Sequence, residues 1–322
     1  MKEMTSLERV QAVLEGRIPD RIPVIPQGFM FSANAAGYNI GQINRSPKLM
    51  AESHRICQEK YGYDGCVIDV DDASLAEACG AKVIFREDSV ATVDEHNPVL
   101  EDLRDIDDLH MPDPGPFNLL CLLRGTQDFM MDLLTEEEDV IFHALEWATE
   151  AHSRFARAQL KIAHATSMGD AYASPELVSP EMYRRFALPA EKKVVENVAD
   201  LNKPYSIHIC GNTTGIIEDM STAGSKILEV DWKLDMASAR EIVRDDIVLM
   251  GNLNPSDPMC IGTPDKVREQ AEAIIRGTKG KGLILSSGCA LGANTKPENM
   301  EALVVSAKEF GSYEQIAALQ GK

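Results

Sequence analysis

The sequence has no apolar run that approaches the ~20 residues needed for a membrane-spanning helix. Its first residues, Met1-Lys2-Glu3-Met4-Thr5, also lack the apolar segment of a signal peptide. The seven cysteines are odd in number and scattered, mostly within apolar runs, so they do not form a disulfide framework. These absences predict a protein of the reducing cytoplasm with no transmembrane segment.

Basic residues are scarce relative to acidic ones. Lys and Arg number 32 against 51 Asp and Glu, which leaves a formal net charge of −19. Such a surface repels nucleic acid and anionic membranes, so neither is an expected partner. It also disfavours polyanionic substrates, whereas a partner protein with a basic patch would complement it.

A Gly-x-Gly-x-x-Gly motif is also missing, which disfavours a dinucleotide-binding Rossmann sheet. Short apolar segments instead alternate with helical patterns, and this alternation predicts a parallel sheet. About eight strand candidates favour a (β/α)8 TIM barrel, with residues 1–322 as a single domain. We expect two additions to the barrel, an N-terminal helix within residues 1–20 and an insertion over residues 81–114 that contains a β-hairpin.

Two of the predicted strands end in residues that bind metals. Residues 205–209 are typical of a buried strand, and side chains alternate across a strand, so His208 and Cys210 point the same way. Residues 283–287 form a similar segment, and Cys289 lies just past its end. One imidazole nitrogen and two sulfurs suit zinc, which in catalytic sites takes three protein ligands and keeps a fourth position open. Since cysteine is also a common small hydrophobe, core packing is the alternative.

Other side chains fall at or just past the ends of predicted strands, which in a barrel form the edge that carries the active site. Each has an alternative interpretation as an ordinary loop, cap or core residue. The candidate catalytic residues are Asp170 and Asp231; the candidate substrate-binding residues are Gln27, Phe29, Met30, Tyr172, Asn212 and Asn252; Asp69 also lies at a strand end.

Along nearly its whole length, the chain resembles the uroporphyrinogen decarboxylase superfamily, and within it the zinc-dependent corrinoid methyltransferases. The His-x-Cys-Gly-Asn segment combined with Gly-Cys is specific to that branch, whereas the other matches are superfamily-wide. The matching segments are residues 14–16 (Leu-Glu-Gly), 19–23 (Pro-Asp-Arg-Ile-Pro), 115–117 (Gly-Pro-Phe), 170 and 173–175 (Asp and Ala-Ser-Pro), 179–183 (Ser-Pro-Glu-Met-Tyr), 208–212, 251–253 (Gly-Asn-Leu), 287–289 (Ser-Gly-Cys) and 297–299 (Pro-Glu-Asn).

The resemblance implies a barrel with zinc held by His208, Cys210 and Cys289. It also implies an acidic residue at the position of Asp231 that fills the fourth zinc site when substrate is absent. The implied activity is transfer of a methyl group to or from the cobalt of a corrinoid (cobalamin) carried by a partner protein. The oligomeric state is left open, a homodimer included.

Two departures from the superfamily pattern matter. Uroporphyrinogen decarboxylases carry an arginine-rich motif after the first strand, whereas residues 27–31 here are Gln-Gly-Phe-Met-Phe. That difference, with the acidic surface, argues against decarboxylation of a porphyrinogen. The family also has a further strand and helix between the regions that match residues 111–114 and 115–117, which abut here. The third βα unit is therefore expected to be shortened or altered.

Two directions of methyl transfer fit this pattern. The apolar and aromatic candidates favour demethylation of a methoxylated aromatic or similar donor, because the strand-end motifs contain no evident basic residue to bind a sulfonated thiol. The alternatives are a methylcorrinoid:thiol methyltransferase acting on a coenzyme M-like thiol, a decarboxylase-like lyase, and a non-catalytic zinc-binding barrel.

Overall fold

The structure is a computed structural model that describes residues 3–68, 72–109 and 116–321. No helix within these ranges is long and apolar enough to cross a membrane. The helices are α1 (Ser6–Leu14), α2 (Phe29–Ala35), α3 (Ile40–Asn44), α4 (Pro47–Tyr61), α5 (Asp72–Ala78), α6 (Pro116–Arg124), α7 (Thr126–Thr135), α8 (Glu138–Leu160), α9 (Pro180–Met182), α10 (Leu188–Val198), α11 (Ile217–Met220), α12 (Met236–Ile242), α13 (Pro264–Gly277), α14 (Pro297–Phe310) and α15 (Tyr313–Leu319). The strands are β1 (Val83–Ile84), β2 (Thr92–Val93), β3 (Thr166–Gly169), β4 (Tyr205–Ile209), β5 (Ile227–Val230), β6 (Val248–Leu253) and β7 (Leu283–Ser287).

Residue contacts divide the chain into two compact units. The first contains Met1–Asp69, Asn212–Ile217 and Lys226–Lys322, and the second contains Val70–Gly211 and Glu218–Ser225. The single domain over residues 1–322 stays a prediction.

The first unit is built on the parallel strands β5, β6 and β7, which pair in chain order. All residues of these strands are buried, which explains their mostly apolar sequence. Val24 forms a parallel bridge to Leu285, so the segment predicted as the first strand runs beside β7. One face of the sheet packs into a cluster of Val13, Ile227, Val248, Met250 and Ile284.

Helix α1, the predicted N-terminal helix, begins at a capping box in which the side chains of Thr5 and Glu8 each accept a hydrogen bond from the other's backbone amide. Its Arg9 is buried and contacts the carboxylates of Asp20 at 2.6 Å and Asp64 at 2.5 Å. Asp64 also accepts from Arg21 at 2.7 Å. This network anchors the N-terminal helix to the segment that enters the sheet.

The second unit contains the parallel pair β3 and β4, in register from Thr166 opposite Tyr205 to Gly169 opposite His208. Helices α6 and α10 both pack against the long helix α8. The expected hairpin is present, because β1 and β2 pair in antiparallel fashion within the predicted insertion. Residues 110–114 of that insertion, and with them part of the predicted shortened βα unit, lie outside the described residues.

Two local predictions were wrong. The segment Thr135-Glu136-Glu137-Glu138 predicts a cap for one long helix over residues 135–160. Instead, Thr135 ends α7, where its hydroxyl donates to the Met131 carbonyl, and α8 begins at Glu138. Residues 65–68 of the predicted strand 65–69 form no ladder; beside them, the Asp64 amide donates a single backbone bond to the Val24 carbonyl. Residue 69 lies outside the described residues.

Candidate metal centre

Strand β4 carries the first two candidate ligands. The strand is buried along its whole length, and His208 Nε2 lies 3.1 Å from Cys210 Sγ, as expected for alternate positions on one face. Gly211 follows with a φ of +85°, and a Cβ built there would lie 2.8 Å from Glu176 Cδ and 2.9 Å from Ser174 Oγ. Only glycine fits, so the chain turns directly after Cys210 against the loop that follows β3.

Strand β7 carries the third candidate. Ser286 and Ser287 are fully buried, and the Gly288 amide donates to the Leu253 carbonyl at 2.7 Å. Cys289 follows immediately and is partly exposed. The backbone of β6 and β7 therefore fixes the position of the segment that bears this thiol.

The ligand atoms of His208, Cys210 and Cys289 all lie within 4.8 Å of one another. In the part of the chain that the structure describes, no other group of three or more His, Cys, Asp or Glu residues was found with this geometry. Separations of this size suit one ion at zinc–sulfur and zinc–nitrogen bond lengths of about 2.0–2.3 Å, because atoms on opposite sides of such an ion lie about 4 Å apart. The donor set fits zinc.

Asp231, the predicted fourth ligand, is not part of that group. It directly follows β5, is buried, and accepts a hydrogen bond at Oδ1 from the Lys233 amide at 2.9 Å. Asn252 holds the turn formed by residues 231–234, since its Nδ2 donates to the carbonyls of Asp231 at 3.0 Å and Leu234 at 2.7 Å. The side-chain amide that we expected to bind substrate thus supports the backbone around Asp231.

Asp170 directly follows β3 and is fully buried. Its amide donates to the His208 carbonyl at 2.9 Å, and its Oδ1 accepts from the Asn118 amide at 2.7 Å, in the first turn of α6. Asn118 Oδ1 in turn accepts from the Tyr172 amide at 3.2 Å. Burial and the charge of Asp170 raise the pKa of the Cys121 thiol on α6, which keeps it protonated.

The other predicted substrate residues are spread over several elements. Gln27 is buried, and its amide donates to Ser287 Oγ at 3.3 Å. Phe29 and Met30 open α2 and are partly buried. Asn212 is exposed and caps a short helical turn by accepting from the Thr214 amide.

Sequence reasoning missed Asn118, which supports the turn after β3, and Glu176, whose side chain lies against Gly211 in the turn after β4. Neither stands in a recognisable motif, and both act through partners more than thirty residues away. The glycine at position 211 was the signal that the sequence offered, because glycine after a metal-binding residue often marks close backbone approach.

The chain is similar to several known proteins over much of its length. The chain is 27% identical to the methylcobamide:CoM methyltransferase MtaA of Methanosarcina barkeri, with 96% of this chain and 99% of that protein aligned. It is 33% identical to a uroporphyrinogen decarboxylase of Trichodesmium erythraeum, but over only 51% of this chain and 46% of that one. A solved methyltransferase from Methanosarcina mazei superposes with a TM-score of 0.85 at 25% identity, covering 96% of this chain and 99% of that chain.

That superposition confirms the predicted barrel fold, and the relatives confirm the resemblance drawn from the sequence. The sequence signature of the uroporphyrinogen decarboxylase (URO-D) family matches residues 5–115 and 114–310, which is most of the chain. The protein that carries this cluster of one histidine and two cysteines belongs to the URO-D family.

Proposed function

We propose that this protein transfers a methyl group between a small substrate and the cobalt of a corrinoid carried by a partner protein. In this proposal His208, Cys210 and Cys289 hold a zinc ion. The observation that carries it is the grouping of one nitrogen and two sulfur donors within 4.8 Å. The full-length similarity to methylcobamide:CoM methyltransferases supports the same activity.

When bound, zinc supplies Lewis acidity, which ionises a coordinated thiol or polarises the leaving atom of a methyl donor. His208, Cys210 and Cys289 would hold the ion and would leave room for the substrate as a further ligand. Asp231 lies outside the group of three ligands, and the family resemblance alone supports it as a fourth ligand in the resting site. We assign Asp170 to holding the turn beside His208. The chain's own contribution is to position the reactants and to exclude water.

For the direction of transfer, we favour demethylation of a methoxylated aromatic or similar donor. The partly buried Phe29 and Met30 at the start of α2 support an apolar substrate. The second candidate, methyl transfer from a methylcorrinoid to a thiol, is supported by the names of the full-length relatives. The absence of arginine from residues 27–31 and the half-length match argue against porphyrinogen decarboxylation.

Metal content tests the zinc site. We expect about one zinc per purified chain, because a mononuclear site of this type binds one ion. Cys289→Ser should lose most of it, and His208→Ala should lower methyl transfer by about 100-fold or more. Cys66→Ser is the matched control, since Cys66 is exposed and lies outside the cluster. Equal zinc in the wild type and in Cys289→Ser would refute the assignment.

Two paired assays separate the directions. One supplies methylated aromatics with a reduced corrinoid protein, and the other supplies thiols with the methylated form. Turnover in the first alone supports demethylation, and turnover in the second alone supports the thiol methyltransferase. Zinc binding without turnover in either leaves the non-catalytic barrel as the better description.

A further inference from the structure

The turn after β5, residues 231–234, is held firmly by hydrogen bonds within the first unit. Asn252, itself buried, donates to the carbonyls of Asp231 and Leu234 from the end of β6. The Leu234 amide also donates to the Asp231 carbonyl at 3.1 Å, and the Lys233 amide donates to the Asp231 carboxylate. Four hydrogen bonds within four residues leave this turn little conformational freedom.

Gly288 brings the same turn against the segment that bears Cys289. A Cβ built on Gly288 would lie 2.4 Å from the Trp232 amide nitrogen and 3.0 Å from the Trp232 Cα and Cβ. These distances are well below van der Waals contact, so the two backbones touch directly. Trp232 is therefore fixed beside the residue that precedes a candidate metal ligand.

The side chain of Trp232 is 42% exposed, whereas Trp147, the other tryptophan, is 7% exposed. Core packing does not account for a large exposed aromatic on a rigid turn. An indole in that position offers a broad apolar face and one N–H donor, and it loses little side-chain entropy on binding. Such residues are enriched among those that dominate binding energy.

We infer that Trp232 contacts the corrin ring of the cobalt cofactor when the methyl group is exchanged. This inference rests on the function proposed above. A small substrate would be enclosed, whereas a corrin is a wide macrocycle that approaches from outside, with apolar faces and amide groups at its edge. The indole packs against the macrocycle, and its N–H donates to an amide oxygen. Trp232 is thus a corrinoid-binding residue that takes no part in bond making.

Kinetics of the zinc-loaded enzyme test this role. Trp232→Ala should raise KM for the methyl-carrying corrinoid about 10-fold, equivalent to about 1.4 kcal/mol, and Trp232→Phe should raise it less. The zinc content, kcat and KM for the small substrate should stay unchanged. Ile242→Ala is the matched control. Ile242 is similarly exposed, at 44%, but it lies at the last residue of α12, outside the turn of residues 231–234. An unchanged corrinoid KM in Trp232→Ala, with an active wild type, would overturn the inference.

Fluorescence gives a readout independent of turnover. Trp147→Phe leaves Trp232 as the sole tryptophan of the two in the chain. Free methylcobalamin and the corrinoid protein should both protect it from acrylamide quenching, and adding His208→Ala should not abolish that protection. Protection by the corrinoid protein but not by free methylcobalamin would place the contact on the partner's polypeptide and overturn the inference. A wild type that neither binds nor methylates a corrinoid would instead refute the proposed function itself.

Discussion

At the scale of single residues, Glu191 is an unusual carboxyl group. It lies on α10, is fully buried, and accepts a hydrogen bond from the Tyr183 hydroxyl at 2.7 Å. Its other oxygen, Oε1, has no hydrogen-bond partner among the described residues. Burial raises the pKa of Glu191 to about 7, against the opposing effects of the Tyr183 hydrogen bond and the Lys192 charge. Between about pH 4.3 and pH 7, therefore, the folded protein keeps the Glu191 carboxyl protonated, whereas the unfolded chain releases that proton.

This difference predicts a pH dependence of stability. Because the pKa of Glu191 is higher in the folded state, its contribution to stability is complete below the unfolded pKa of about 4.3 and is lost as pH rises through about 7. Glu191→Gln should remove that decline, which we expect to be on the order of 1–3 kcal/mol. Urea unfolding at several pH values between 4 and 8 measures this decline in the free energy of unfolding. Glu196→Gln, an exposed change on the same helix, is the control, and parallel curves for wild type and Glu191→Gln would contradict the prediction.

Residue types and spacing sufficed to predict the three clustered side chains. His208 and Cys210 follow from the alternation of a strand, and Cys289 from its place just after another strand. The roles of polar side chains were harder to predict, because their partners are distant in sequence. Asn252, for example, donates to carbonyls 21 and 18 residues away, which no local pattern reveals.

At the scale of elements, α1 is attached by charge as well as by apolar packing. The Asp64 side chain is fully buried and accepts from Arg9, Arg21, the Val24 amide and the Ser6 hydroxyl. Each donor belongs to the N-terminal helix or to the segment that leads into the sheet. One carboxylate thus joins the helical extension to the first part of the barrel.

We expect Asp64→Ala to destabilise the protein by about 3–5 kcal/mol, since it leaves the buried Arg9 without one of its two carboxylate partners. Chemical denaturation at pH 7 provides the measurement. Glu15→Ala breaks the exposed pair with Arg17 and should cost no more than about 1 kcal/mol. Similar losses in the two variants would show that burial does not decide the energy of the network.

Elements with strong apolar sequence were predicted well. Strands β4 and β7 begin and end where the pattern placed them, because both are short, continuous and fully buried. The start of α8 was misplaced, since Thr135 followed by Glu138 matches a capping box although the hydroxyl serves the preceding helix. Local signals of that kind do not distinguish the end of one helix from the start of the next.

At the scale of the whole molecule, this chain is shorter than its relatives. The alignment to MtaA spans 345 positions, whereas the chain has 322 residues, so the relative contains residues that this chain lacks. The family signature is also divided at residues 114–115, where the sequence predicts a shortened third βα unit. Despite this difference in length, the fold agrees with that of the Methanosarcina mazei methyltransferase at a TM-score of 0.85.

Removal of the proposed zinc ion should leave the molecule folded. The proposed ligands lie on strands and turns fixed by backbone hydrogen bonds, and a chain of this length buries a large core without an ion. A chelator should therefore abolish methyl transfer and lower Tm by several degrees, but leave the far-ultraviolet circular dichroism unchanged; added zinc should restore both. Cys289→Ser should not respond to the chelator. Unfolding of the wild type on chelation would indicate a structural metal.

The backbone contact between Gly288 and Trp232 limits how this family member can diversify. Lengthening the turn after β5, or replacing Gly288, would push Cys289 away, so the two segments can change only together. Gly169, the last residue of β3, has no such constraint, because a side chain there would meet nothing within 4 Å. Laboratory evolution toward new substrates should therefore accept substitutions at Gly169 and reject insertions between Asp231 and Leu234.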